Sequence, residues 1–118
     1  MEFVAFVGTD KENWGQIKGI MNRLENEKVI LVKNKEVSDF PKDGKSEIIS
    51  VDTSKPLVEL KEEIMSKLRQ KLSREFEVSL SIASGTGKEH MALISALLSI
   101  PVGIKFVIFT KQGIEYIN

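Results

Sequence analysis

The run Phe3-Val4-Ala5-Phe6-Val7 is apolar without a break and stops at Gly8-Thr9-Asp10. A strand with one wet face alternates apolar and polar residues. An unbroken apolar run this short needs cover on both faces, which is the condition of an inner strand in a parallel sheet. Val29-Ile30-Leu31-Val32 repeats the pattern. Between the two runs, from about Asn13 to Leu24, the residues Trp14, Ile17, Ile20, Met21 and Leu24 fall at helical spacing and form one apolar stripe. The first third of the chain therefore reads as strand, helix, strand, with a right-handed parallel crossover.

The rest of the chain continues the alternation. Asn34 to Ser46 contains Asp39, Pro41, Asp43 and Gly44 and reads as a loop with room for one helical turn. Ile48-Ile49-Ser50-Val51 is a short third strand. Asp52-Thr53-Ser54 offers candidate N-caps, and Pro56 fits the first turn of a helix that runs to about Leu72. Leu57, Leu60, Ile64, Leu68 and Leu72 line one side of that helix, and charged residues fill the other. Phe76 to Ala83 is a fourth strand, Lys88 to Ser99 a third helix stopped by Pro101 and Gly103, and Ile104 to Phe109 a fifth strand. Lys111-Gln112-Gly113 then turns into a last, antiparallel strand over Ile114 to Ile117. The expected architecture is a single α/β domain over residues 1–118, a three-layer Rossmann-like sandwich. Its mainly parallel sheet runs about 3-2-1-4-5 and closes with a C-terminal antiparallel hairpin strand.

In that strand order the winding reverses between the first and fourth strands, and ligands bind beyond the carboxyl ends of the strands at such a switch point. The two exits that meet there are Gly8-Thr9-Asp10 and Ser84-Gly85-Thr86-Gly87-Lys88. Gly85 and Gly87 let the main chain come close to a ligand and expose its N–H groups. Ser84 and Thr86 add short hydroxyls, Lys88 adds a cation, and the positive end of the following helix points into the same space. The plainer reading of the loop is a tight turn with an N-cap at Ser84 or Thr86. The loop is not the NTPase phosphate loop, which would need glycine at Ile82 and a hydroxyl at Glu89. His90, one turn into the helix, is within reach of the site as a ligand contact or as a supporting surface residue. Trp14 reads as core, and Asp10 reads first as a cap for the helix that follows it and second as a partner for a ribose hydroxyl.

Composition narrows the function classes. Seventeen Lys and Arg balance seventeen Asp and Glu, so no global field draws the chain to duplex nucleic acid or to an anionic membrane. With no cysteine and one histidine, disulfides and thiolate metal centres are excluded, and neither a metal nor a cofactor is expected. No apolar stretch is long enough to span a membrane, and the start lacks the order of a signal peptide, so the expected location is the cytoplasm.

The strand Val78-Ser79-Leu80-Ser81-Ile82, the loop Ala83 to Lys88 and the apolar helix Met91 to Leu98 resemble the signature region of CRISPR-associated Rossmann-fold (CARF) domains. Those domains show a strand, a short Gly/Thr-rich loop often ending in lysine, and a helix rich in small and apolar residues. The closing pair Lys105 to Ile117 is similar, and Gly8-Thr9-Asp10 stands at the family's first ligand-contacting loop. The segment Asn34 to Asp52 departs from the family in being shorter and less helical. The resemblance implies a homodimer that binds cyclic oligoadenylate, the ring-shaped RNA messenger of type III CRISPR systems. The contacts would come from Gly8, Thr9, Asp10, Ser84, Gly85, Thr86, Gly87, Lys88 and His90. Standalone relatives that destroy the messenger are ring nucleases, and by that resemblance Lys88 and Thr9 would be the catalytic pair of a metal-independent cleavage of cyclic tetra-adenylate. A homodimer is also expected from the helix Lys88–Ser99, where apolar residues surround the axis almost completely. Two other readings stand beside this one. One is a Rossmann-like domain for a mononucleotide or phosphorylated metabolite without catalysis, and the other is a structural or regulatory subunit in which the loops are only turns.

Overall fold

Strand β1 (Glu2–Val7) is buried along its whole length, because it has a parallel neighbour on each side and helices on both faces. On one side it pairs with β2 (Val29–Asn34), from Phe3 opposite Val29 to Val7 opposite Lys33. On the other it pairs with β4 (Glu77–Ser81), from Glu2 opposite Val78 to Ala5 opposite Ser81. Outside these lie β3 (Ser46–Val51) and β5 (Gly103–Thr110), both parallel, and β6 (Gly113–Tyr116) runs antiparallel to β5. The six strands lie in the order β3-β2-β1-β4-β5-β6. This computed structural model of the chain describes residues 1–24, 27–41, 44–73 and 76–118. Asp43, placed by its sequence in the loop after β2, lies outside them.

The unbroken apolar sequence of β1 now has its physical reason. Phe3, Ala5 and Val7 face one core with Trp14, Ile17 and Ile20 of helix α1 (Trp14–Arg23). Val4 and Phe6 face the other, with Leu60, Ile64 and Leu68 of α2 (Leu57–Lys71) and Ala92, Leu93, Ala96 and Leu97 of α3 (Gly87–Ser99). The layers are unequal, with one helix on the first face and two on the second. Gln16 of α1 fixes the single helix to the sheet, since its side chain donates to the Phe109 carbonyl at 2.9 Å and accepts from the Phe109 amide at 3.1 Å. On the same face no helix covers β2 and β3 among the described residues. Val37 and Phe40, from the segment after β2, pack there instead.

Two helix starts differ from the sequence reading. A 3-10 turn over Lys11–Asn13 precedes α1, which begins at Trp14. Asp52, Thr53 and Ser54 do not cap α2; its N-cap position is Pro56, without a side-chain cap. The Asp52 carboxylate closes its own turn by accepting from the Ser54 amide at 3.0 Å and the Ser54 hydroxyl at 2.6 Å. Pro56 sets the helix start too far along the chain for Asp52 to reach the first free amides. No helix among the described residues is long and apolar enough to cross a membrane.

Candidate functional site between β1 and β4

The chain leaves β1 toward α1 on one face and leaves β4 toward α3 on the other, so a crevice opens between the two exits, as the strand order requires. Gly8-Thr9-Asp10 and the Ser84–Lys88 loop meet there. The Gly8 amide donates to Ser84 Oγ at 2.8 Å, and that hydroxyl donates to Asp10 Oδ1 at 2.6 Å. The Gly85 amide donates to the same carboxylate oxygen at 3.0 Å, and Asn13 Nδ2 donates to Asp10 Oδ2 at 2.7 Å. Trp14 is buried, and its indole N–H donates to the Gly8 carbonyl at 2.9 Å. The residue read from sequence as core thus also holds the first loop.

Asp10 does not cap the helix after it. It occupies the N-cap position of the 3-10 turn but makes no side-chain bond to that turn. Its carboxylate points across to the β4 exit, where a hydroxyl and an amide are offered together. Burial works to raise the Asp10 pKa, but the hydrogen bonds from Ser84, Asn13 and Gly85 outweigh it and hold the carboxyl below its ordinary value. The loops approach this closely because both carry glycine. A Cβ at Gly8 would lie 2.6 Å from Asp10 Oδ1 and 2.7 Å from Gly85 Cα. Gly85 has a φ of +107°, and a Cβ there would lie 2.8 Å from the Phe6 ring.

At the start of α3, Thr86 is the N-cap. Its Oγ1 accepts from the Glu89 amide at 3.2 Å, while Glu89 Oε1 accepts from the Thr86 amide at 2.7 Å, a closed capping box. The cap reading of the loop is therefore realised at Thr86, and Ser84, fully buried, is the brace to the other loop. His90 Nε2 lies 2.7 Å from the Ser84 carbonyl, which can only accept, so the ring nitrogen donates. Lys88 is exposed and its ammonium donates to the Thr53 carbonyl at 3.0 Å, reaching over to the loop that follows β3. The Thr53 amide in turn donates to Asn34 Oδ1 at 3.2 Å. Thr9 is exposed beside Gly8. Among the described residues, the Gly87 and Lys88 amides have no hydrogen-bond partner, and a Cβ at Gly87 would meet nothing within 4 Å.

Of the nine residues expected at the site, Gly8, Asp10, Ser84 and Gly85 are engaged with one another. Thr9, Gly87 and Lys88 are exposed, with the Lys88 ammonium held on the Thr53 carbonyl. Sequence reasoning missed Asn34, Thr53 and Glu89. The spacing Thr86-x-x-Glu89 signals the capping box and would have found the last. Asn34 and Thr53 carry no such signal, because only the sheet order brings the β2 and β3 exits to the same edge. The chain matches no protein-family model, and no curated protein resembles it closely enough to count as a relative.

The two glycines of the second loop predict opposite outcomes. Gly85→Ala forces a side chain into a positive-φ position against Phe6 and costs about 1–3 kcal/mol. Gly87→Ala, in open helical backbone, is neutral or stabilises by about 0.4–1 kcal/mol. Urea midpoints at constant slope measure both. A second expectation concerns acid. The native pKa of Asp10 is depressed, so its contribution to stability is complete above the unfolded carboxylate pKa and is lost as the pH falls through the lower native value. The pH-dependence of the urea midpoint below about pH 4 is therefore shallower in Asp10→Asn than in the parent.

Proposed function

We propose that the chain is a CARF-type module of a type III CRISPR system, a homodimer that binds cyclic oligoadenylate in the crevice between β1 and β4 and slowly opens the cyclic tetra-adenylate ring. The observation that carries this reading is the crevice itself. Two loops that lie far apart in sequence are braced together by Asp10, and beside the brace lie two unpartnered helix amides and one exposed lysine. Helix amides without partners suit a phosphodiester oxygen. The choice of a cyclic oligonucleotide over a free mononucleotide rests on the resemblance of the β4 exit loop and the apolar α3 to the CARF signature region.

The outer side of α3 supports the dimer. Met91 and Leu98 are 59% and 60% exposed, Ile94 is half-buried, and α3 covers only part of β5 on the same face, leaving Ile108 exposed and Ile104 and Phe106 half-covered. These exposed apolar residues on α3 and β5 suit a second copy of the chain.

Ring opening would use the ligand's own 2′-hydroxyl. Its oxygen attacks the adjacent phosphorus, the bond to the 5′-oxygen of the next nucleotide breaks, and the hydroxyl proton ends on that leaving oxygen, giving a 2′,3′-cyclic phosphate. In this reading Lys88 swings from the Thr53 carbonyl to the phosphate oxygens, the Gly87 and Lys88 amides share the charge, and Thr9 holds the attacking ribose in line. Positioning and one cation without a paired acid and base give a modest rate.

Thermal-shift screening with cyclic tetra- and hexa-adenylate, AMP, ATP, NAD and sulfate tests the binding. The reading predicts a shift with a cyclic oligonucleotide and none with mononucleotides; the reverse selects the mononucleotide or phosphometabolite domain. Lys88→Ala weakens binding in a salt-dependent way, and Gly87→Val blocks the backbone approach without unfolding the protein. Leu98→Glu converts a dimer to a monomer by light scattering. Incubating labelled cyclic tetra-adenylate with protein in excess EDTA yields linear product that Lys88→Ala and Thr9→Ala reduce. Tight binding without product leaves a sensor only, and activity lost with EDTA overturns the mechanism.

A further inference from the structure

The β2–β3 connection leaves a hollow on the α1 face of the sheet. A parallel crossover usually carries a helix that covers the strands it joins. Here a segment of irregular chain crosses instead, and beneath it lies a cavity of about 430 Å³. Its floor is the sheet, with Val7, Leu31 and Ile48 from three adjacent strands. Its roof is the connecting segment, with Val37 and Phe40. The first half of the roof is held in place. The Lys35 amide donates to the Val51 carbonyl at 2.8 Å, the Val37 amide donates to the Asn34 carbonyl at 2.9 Å, and Asp39 forms an ion pair with Lys11. The Phe40 ring stands edge-on to Trp14 with centroids 5.2 Å apart. A space of this size is within the range of ligand pockets and has room for roughly a dozen non-hydrogen atoms.

One residue in this wall does not fit a structural role. Along β2 the residues on the α1 face are Val29, Leu31 and Lys33, and the first two are buried core. Lys33, opposite Val7, continues that inward-facing series with an ammonium group and lines the cavity. Its only hydrogen bond among the described residues is a long one, 3.4 Å to the carbonyl of its neighbour Asn34, and no described carboxylate lies within ion-pair distance of it. Lys33 is half-buried there, and no ion pair with a described carboxylate accounts for its place. Ser38 adds one hydroxyl at the roof. Among the described residues, the cavity thus combines an apolar body with one positive charge and one hydroxyl.

We propose that this cavity is a second binding site, distinct from the crevice between β1 and β4, for a small monoanionic carboxylate with an aromatic or branched apolar body. The apolar part packs between Leu31, Ile48, Val37 and Phe40, and the carboxylate accepts from the Lys33 ammonium and the Ser38 hydroxyl. A single cation and a single hydroxyl match a monoanion. A phosphate dianion would need several more donors than the described lining residues supply.

The test uses the intact protein with 3-phenylpropionate, its neutral amide and phenyl phosphate as probes, followed by 1H–15N and methyl chemical shifts. The carboxylate shifts Val7, Leu31, Val37 and Ile48 and leaves Gly85 to Lys88 unmoved, and it binds at least tenfold more tightly than the amide or the phosphate. Lys33→Met abolishes that preference for the carboxylate, because the charge-assisted bond is lost. Its thermal midpoint equals or exceeds that of the parent, as an ammonium on an apolar face is replaced by a side chain that packs. Val37→Phe fills the space and removes binding of both ligands without unfolding the protein. Equal affinity for acid and amide, tighter binding of phenyl phosphate, shifts centred outside the cavity, or a lowered midpoint in Lys33→Met would each overturn the proposal; the last result would make the lysine structural.

Discussion

The Asp10 carboxylate accepts from a hydroxyl and an amide on a loop 74 and 75 residues away in sequence, and the carboxyl edge of the sheet is organised around that contact. Pairing of β1 with β4 brings the two exits alongside each other, but backbone pairing ends at Ala5 and Ser81. Beyond that point the brace through Ser84 and Asp10 sets the distance between the loops. Gly8 is there because a side chain would collide with the brace, and Gly85 because its φ is positive and a side chain would strike Phe6. With the β4 exit held, Thr86 caps α3 at a fixed position, and the exposed Gly87 and Lys88 follow at the start of the helix. The acceptor that holds the loops is a carboxylate kept ionised by the hydrogen bonds from Ser84, Asn13 and Gly85.

The two faces of the sheet divide the work. The face under α2 and α3 is closely filled, from Val51 through Ile64 and Leu93 to Leu80. The face under α1 has one helix and a connecting segment, and that economy leaves the cavity beneath Val37 and Phe40. On the well-filled face the cover ends at α3, and β5 extends past it with Ile108 exposed. The chain is thus incomplete in two places for different reasons. One is a partly open hollow with a lysine in its wall, suited to a small molecule, and the other is an exposed apolar surface, suited to a second polypeptide.

The sequence made the fold legible wherever periodicity was unambiguous. Phe3 to Val7 demanded two covered faces, Ile17, Ile20 and Met21 demanded a helix, and the order of elements led to the strand order and the place of the switch point. The site was half legible. Glycines and hydroxyls at two strand exits marked the right loops, but residue types alone do not say which groups face each other and which face a ligand. Asp10 next to a helix start looks like a cap, and only the arrival of Ser84 and Gly85 in three dimensions redirects it. Thr53 and Asn34 enter the crevice wall through sheet order, a long-range property with no local signature. Lys33 was invisible for a similar reason, since its place on the inner face depends on strand register and on the missing helix opposite.

The central claim is that two copies of the chain share one ring through their β1–β4 crevices. Native mass spectrometry of the protein with cyclic tetra-adenylate tests it most directly, because it counts chains and ligands in the same particle. The account predicts one ring on each dimer, with the complex lost in Lys88→Ala. One ring on each isolated chain, or a dimer that takes up no ring at concentrations where the protein is folded, would contradict it.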